Sequence, residues 1–448
     1  MNMACGTRSF NQYYSAFIAS IAVLGVGCTV GWTTPILKKL KKPDATPIHI
    51  DASQSSWLAA SHEVGHFLSP LPAGYALVAF GRTKCILVAS IFACIGWILV
   101  LVAKSVAVLY VSRLMFGIAM GIIFTTVPLY IAEVAPASSR GALSTLFQAM
   151  LFLGHLVEFS LGPYVHYDVL GYVSIAIAIF WLLATFILPE SPQYLVSVQK
   201  KDKAKKTLTW LLGTEDEETI QKEVTRLDEI CQTANNTRRW KELFSSQYRT
   251  KLLVVIMVAI AQRFTGMSAV VAYASMTFTS VEGGGMTSDE YTILFGAIIF
   301  VFTFVSAALI DKIGRRPLIL LSCAGCGICH FITCIFFYIK PANINWIPFV
   351  SITAFSMLYS LGLGPIVNTL QGELFPPNIK GLASSLTTIV HAVASFTVTK
   401  LFQVIRDSVG IYLNFLVFAI ACTISTIFAY KLVPETKRMQ LVDTQKPD

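Results

Sequence analysis

Two kinds of polar side chain interrupt an otherwise apolar chain and could do chemistry. His62-Glu63-Val64-Gly65-His66 has the H-E-x-x-H spacing. On a helix it sets two imidazoles on one face to hold zinc, with the glutamate as general base of a peptidase. Such a centre needs a third ligand and an open coordination position. His155, His330 and His391 are too dispersed to nominate one, so a zinc peptidase is a remote reading. The second kind is paired charge that recurs. Gly81-Arg82-Thr83-Lys84, Glu133 with Arg140-Gly141, and Pro189-Glu190-Ser191-Pro192 occur in the first half. Gly314-Arg315-Arg316, Glu373 with Lys380-Gly381, and Pro434-Glu435-Thr436-Lys437 repeat that order in the second, displaced by 233, 240 and 245 residues.

The elements that carry these groups are read from the apolar runs. The 448 residues are 55% hydrophobic and 13% charged, against about 25% charged in a soluble protein, and the mean hydropathy is +0.65. A spanning helix needs roughly 20 apolar residues. Runs near 12–37, 56–80, 85–103, 107–132, 142–162, 169–188, 250–280, 291–310, 317–339, 345–372, 381–405 and 410–432 predict twelve of them. The expected fold is an all-α membrane protein: an N-terminal six-helix bundle over 1–188, a linker with short helices over 189–249, a C-terminal bundle over 250–433 and a tail over 434–448. An even number of spans puts both termini and the linker on one side, and the excess of Lys and Arg there marks it as cytoplasmic. A duplication on this scale in a membrane chain implies two halves with a solute path between them.

The net charge of +9 carries no basic–aromatic interleaving of the kind that binds nucleic acid. Lys38, Lys39, Lys41 and Lys42 cluster in the first outer loop, as a solvated loop or an anion-attracting rim. The Cys323, Cys326 and Cys329 run lies among Ala324, Gly325 and Gly327, where small residues let helices approach. Arg263 is the sharpest single feature, because a charge in mid-span costs at least ~2.5–3.5 kcal/mol and needs a partner or water. A pair with Glu158 is one expectation; a guanidinium facing a solute cavity is the other.

The chain resembles the sugar porter branch of the major facilitator superfamily over its whole length. The resemblance rests on Arg113-x-x-x-Gly117-x-x-x-Gly121, Pro128-Leu-Tyr130-Ile-Ala-Glu133, Arg140-Gly141, Pro189-Glu190-Ser191-Pro192-x-x-Leu195, Asp311-Lys312-Ile-Gly314-Arg315-Arg316 and Pro434-Glu435-Thr436-Lys437. Ser56-Trp57-Leu58-Ala59 and Phe396-Thr-Val-Thr-Lys400-Leu-Phe402 are similar to the insect facilitated trehalose transporter-like group. The resemblance implies a transporter with no cofactor and no enzymatic site. It also implies a small-molecule sugar as ligand, and a monomer in the plasma membrane. It assigns Arg113, Glu133, Arg140, Asp311, Arg315, Arg316, Glu373 and Lys380 to a cytoplasmic gate of interhelical carboxylate–guanidinium pairs. Val78 and Ala79 stand where the family's first-half loop has Asp-Arg, so Asp311 lacks a counterpart.

Gln148 and Gln262 match the family's sugar-binding glutamines. Arg263, Ser268, Asn368 and His391 occupy further pocket positions, but with changed residue types, and Ile299 and Ala392 stand where the family has an asparagine and a tryptophan. Trehalose or a related sugar is therefore expected before glucose. The first span has no acid where proton-linked porters carry an aspartate, Thr29 aligning instead, which points to facilitated diffusion. A non-transporting solute sensor, or a porter for an anionic solute, is the competing reading.

Overall fold

The computed structural model describes residues 3–41, 48–135, 140–235, 243–279, 286–341, 344–375 and 377–435, and every regular element among them is helical. The first half comprises α1 (Met3–Gly31), α2 (Thr33–Leu40), α3 (Ala52–Leu68), α4 (Pro70–Phe80), α5 (Arg82–Val102), α6 (Val106–Val134), α7 (Arg140–Leu161) and α8 (Tyr167–Thr185). Short helices α9 (Pro192–Ser197), α10 (Lys201–Leu212) and α11 (Glu217–Asn235) follow. The second half comprises α12 (Ser246–Phe264), α13 (Met267–Ala272), α14 (Ala274–Phe278), α15 (Ser288–Ile313), α16 (Arg315–Ile339), α17 (Ile347–Leu361), α18 (Leu363–Leu374), α19 (Pro377–Ser408) and α20 (Ile411–Leu432).

Among the described residues ten stretches are long and apolar enough to cross a membrane, and Pro70–Phe80 and Thr145–Leu161 are shorter apolar helices. The shorter pieces complete the twelve spans. Pro70 at the first position of α4 interrupts one line that α3 and α4 share, since proline cannot donate the intrahelical bond, and Thr145–Leu161 belongs to α7.

Within the first half α1 packs on α6, α7 and α8, and α5 on α6 and α8; within the second, α16 packs on α17 and α20, and α12 on α18, α19 and α20. Two seams join the halves: α3 and α4 against α19, and α7 against α15. Helices α9–α11 surround their own small core of Leu195, Val196, Ala204, Leu208, Ile220 and Val224.

Close helix approach sets the position of α3. A Cβ on Gly117 of α6 would lie 1.9 Å from the His62 carbonyl oxygen, so only glycine lets the two backbones meet here. The buried cysteines of α16 are packing groups in the same sense; the Cys326 thiol lies 3.6 Å from the Phe355 carbonyl of α17.

Besides the α3–α4 line, three more spans are broken along their length. Trp32 separates α1 from α2, Gly266 (φ +85°) separates α12 from α13, and Gly362 separates α17 from α18. Irregular backbone at membrane depth is tolerated where protein covers it or where it lines a cavity.

Candidate functional site

These breaks surround a cavity of about 100 Å³ on the seam between the halves. Gln148 of α7 and Gln262 of α12 face it from opposite halves. The Gln262 Nε2 donates to the Leu363 and Gly364 carbonyls, in the first turn of α18, at 2.8 and 2.9 Å. Its amide nitrogen is thus committed to the fold, and its Oε1 is buried without a partner.

The H-E-x-x-H segment also lines this cavity, through His62, Glu63 and His66 of α3. Glu63 Oε2 lies 2.9 Å from His66 Nδ1, and Glu63 Oε1 accepts from Ser395 Oγ of α19 at 2.8 Å. Ser395 Oγ is 2.9 Å from Ser268 Oγ, which accepts from Arg263 at 3.3 Å. A guanidinium only donates and a carboxylate only accepts. Ser395 Oγ has one proton to share between Glu63 and Ser268, and its bond to Glu63 ties the two halves together across the cavity.

Arg263 does not meet Glu158. The Glu158 carboxylate is fully buried behind α1 and accepts from Ser174 of α8 at 2.6 Å. The acid whose charge Arg263 acts on is Glu63, which Arg113 also reaches. Helix faces decide this: Glu158 turns into its own bundle, whereas Glu63 faces the seam. Among the described residues no three His, Cys, Asp or Glu side chains gather in a metal-holding group, and Glu63 is held by His66 and Ser395.

Ser268 and His391 line the cavity with the glutamines, while the Asn368 side chain lies outside the described residues. The polar atoms left without partners converge on the same space. Among the described residues they include Nε2 of His62, His66 and His391, both ring nitrogens of His155, Thr33 Oγ1, Nε of Arg263 and Oε1 of Gln262.

Arg113 belongs to this cavity rather than to a helix-end cluster. Its guanidinium bonds the Leu58 and Thr29 carbonyls and lies 6.0 Å from the Trp32 ring. It shares α6 with Glu133 but sits twenty residues earlier, about 30 Å along the axis at 1.5 Å per residue.

At the end of the bundle near the termini, Glu133 accepts both Arg82 Nε at 2.9 Å and Arg82 NH2 at 2.7 Å, a bidentate pair between α5 and α6. The Arg82 guanidinium also lies 5.3 Å from the Tyr194 ring. Glu190 caps the start of α5, accepting from the Arg82 amide at 2.9 Å and from Thr83 Oγ1 at 2.7 Å. Glu435 repeats this at the start of α16, taking the Arg315 and Arg316 amides at 3.1 Å each. Negative charge is favoured at a helix N-terminus. Arg316 additionally donates to the Tyr430 carbonyl at 2.6 Å. The side chains of Arg140, Asp311, Glu373 and Lys380 lie outside the described residues. Arg82, Glu190 and Glu435 were not assigned roles from sequence, although their place in the duplicated motifs was the available signal.

At the opposite end, bonds cross from one half to the other. Lys38 pairs with Asp289 at 2.8 Å and bonds Ser288 at 2.8 Å, and Thr34 donates to the Val271 carbonyl. Lys400 Nζ donates to Ser56 at 2.7 Å and lies 4.1 Å from the Trp57 ring centre, beside Phe396. The first loop's lysines are thus not simply solvated: Lys38 reaches across the seam and Lys39 bonds the Val165 carbonyl. Lys42 lies outside the described residues.

Comparison with known proteins agrees with this architecture. Over 98% of the chain and 99% of the other, it superposes at a TM-score of 0.84 and 21% identity on the proton:xylose symporter XylE of the major facilitator superfamily, bound to 6-bromo-6-deoxy-D-glucose. A partially occluded inward-open structure of the E. coli xylose transporter XylE gives 0.81 at 20% identity, over 96% and 99%. The fold is that of the major facilitator superfamily. Among curated proteins, the facilitated trehalose transporter Tret1 of Bombyx mori is 29% identical over 97% of this chain and 86% of its own length. The Anopheles gambiae protein of that name is also 29% identical, with 56% of its length covered. The sugar transporter ERD6-like 6 of Arabidopsis thaliana is 30% identical over 96% of this chain and 88% of its own. The family described as Sugar (and other) transporter matches residues 3–446. The chain therefore belongs to the Sugar (and other) transporter family and is a multi-pass membrane transporter of major facilitator fold.

Proposed function

We propose that this protein is a facilitative uniporter that moves trehalose or a related sugar, before glucose, across the plasma membrane by alternating access. The halves 1–188 and 250–433 rock about the linker 189–249, both termini being cytoplasmic and the unit a monomer. The observation that carries the reading is the pair of glutamines facing one seam cavity from opposite halves. Amides donate and accept, as hydroxyls do, and ligands held from both halves couple binding to rocking. Helix α1 carries no acidic residue, which favours passive flux over proton coupling. Ile299 and Ala392 are buried and offer no side-chain hydrogen bond where the family's glucose sites have an asparagine and a tryptophan, which favours trehalose before glucose.

The cytoplasmic gate comprises Glu133, Arg140, Asp311, Arg315, Arg316, Glu373 and Lys380, joined by Arg82. A second reading, an anionic solute, is favoured by one observation: two guanidiniums, Arg113 and Arg263, line the cavity with the single carboxylate of Glu63.

Uptake of radiolabelled trehalose and glucose in oocytes, with surface expression matched, tests the proposal. Saturable trehalose uptake that falls in Gln148→Ala and Gln262→Ala is the expected outcome. Uptake of neither sugar by surface-expressed protein contradicts it and moves anionic solutes to the front.

A further inference from the structure

We infer that His66, held by Glu63, is a substrate-contacting and specificity-determining residue: an acceptor for one sugar hydroxyl, built from the segment that in sequence reads as a zinc motif. The inference rests on the sugar-porter reading and adds to it a contact from α3.

The geometry has three parts. First, His66 Nδ1 lies 2.9 Å from Glu63 Oε2. A carboxylate can only accept, so the proton is on Nδ1, and a neutral ring then presents Nε2 as a lone pair. Second, that Nε2 is buried without a partner, on a side chain 1% exposed that lines the cavity. A buried acceptor left unmet is destabilising, so its natural complement is a ligand O–H. Third, Glu63 cannot turn away to leave the ring free. Its other oxygen is held by Ser395 of the second half at 2.8 Å. The ring orientation is thus fixed from both halves.

Glu63 acts through His66 and is a positioning residue. Gly117 places the pair, since the close passage of α6 against the His62 carbonyl fixes the height of α3 beside the cavity. The ligand chemistry this selects is a neutral polyol with a free hydroxyl at one defined carbon. A carboxylate or phosphate oxygen would meet the Nε2 lone pair with its own and be repelled.

The test is competition against radiolabelled trehalose uptake by trehalose and its monodeoxy analogues. It compares the full-length wild type with His66→Ala, Glu63→Gln and Ser395→Ala at matched surface expression. In the wild type one analogue, lacking the hydroxyl that His66 receives, competes about tenfold more weakly than trehalose. That discrimination falls to within about twofold in His66→Ala. It falls likewise in Glu63→Gln, whose amide can donate to Nδ1 and reverse the ring's polarity. Ser395→Ala keeps the Glu63–His66 bond but releases the other Glu63 oxygen, and the discrimination falls part of the way, less than in Glu63→Gln. Loss of rate in His66→Ala with the deoxy discrimination intact overturns the inference while leaving the sugar-porter reading standing. Absence of trehalose uptake by surface-expressed wild type overturns both.

Discussion

The Arg82–Glu133 pair offers a quantitative test of what holds the first half together near the termini. The guanidinium makes two charge-assisted bonds, at 2.9 and 2.7 Å, and the two side chains are 11% and 3% exposed. Removing one member of a buried ion pair costs about 3–5 kcal/mol, because the other charge is left uncompensated. Arg82 would keep its 3.2 Å bond to the Leu77 carbonyl and the field of Glu190. The expected cost of Glu133→Gln therefore sits near the lower end, about 3 kcal/mol, or roughly 150-fold in the folding equilibrium. On the scale of a domain of about 150–250 residues this lowers the melting midpoint by roughly 6–12 °C. The assay is thermal denaturation of detergent-purified protein for Glu133→Gln, Arg82→Met and the double variant. If the bidentate bond is the source of the cost, Arg82→Met in the Glu133→Gln background costs little more, with a coupling of about 2 kcal/mol. Drops that add to within about 0.5 kcal/mol would show that the two residues act separately and refute the reasoning.

Two further perturbations follow from the geometry. Gly266 sits at φ +85° with the Phe418 ring 2.4 Å from where a Cβ would be. Gly266→Ala is expected to cost at least about 1–2 kcal/mol from backbone conformation alone and to lower the yield of folded protein; unchanged yield and uptake would mean that the helix break tolerates a side chain. Lys400→Met removes the bond to Ser56 and the contact with Trp57. A loss of about 1–2 kcal/mol at that contact shifts the population towards opening at the end away from the termini, about 5- to 30-fold. Spin-label distances between α3 and α19 measure this, and an unchanged distribution would remove Lys400 from any latch.

Much of the fold was legible because membrane spans announce themselves by length and apolarity, and because the motifs occur twice. The duplication even carried information that was not used: Glu190 and Glu435 recur because each caps the start of a helix, α5 and α16. Thr83, which looks like a loss beside Arg316, supplies a hydroxyl to Glu190. What sequence could not give was which face of a helix a charge occupies. Arg113 was grouped with Glu133 by family motif, yet one lies beside the cavity and the other at a helix end. Glu158 and Glu63 were equivalent as intramembrane acids, and only the packing of α1 and α8 over Glu158, with α3 turned to the seam, assigns Glu63 to Arg263. The breaks at Gly266 and Gly362 were also beyond pattern reading, as was the commitment of the Gln262 amide nitrogen to the Leu363 and Gly364 carbonyls.

Passive sugar flux is measured by reconstitution. Purified protein in proteoliposomes would be given radiolabelled trehalose, with and without an imposed pH gradient. Saturable entry that stops when internal and external concentrations are equal, the same with either pH outside, is the expected result. Accumulation above the external concentration under an inward proton gradient would contradict uniport, and absence of protein-dependent flux would contradict trehalose as the cargo.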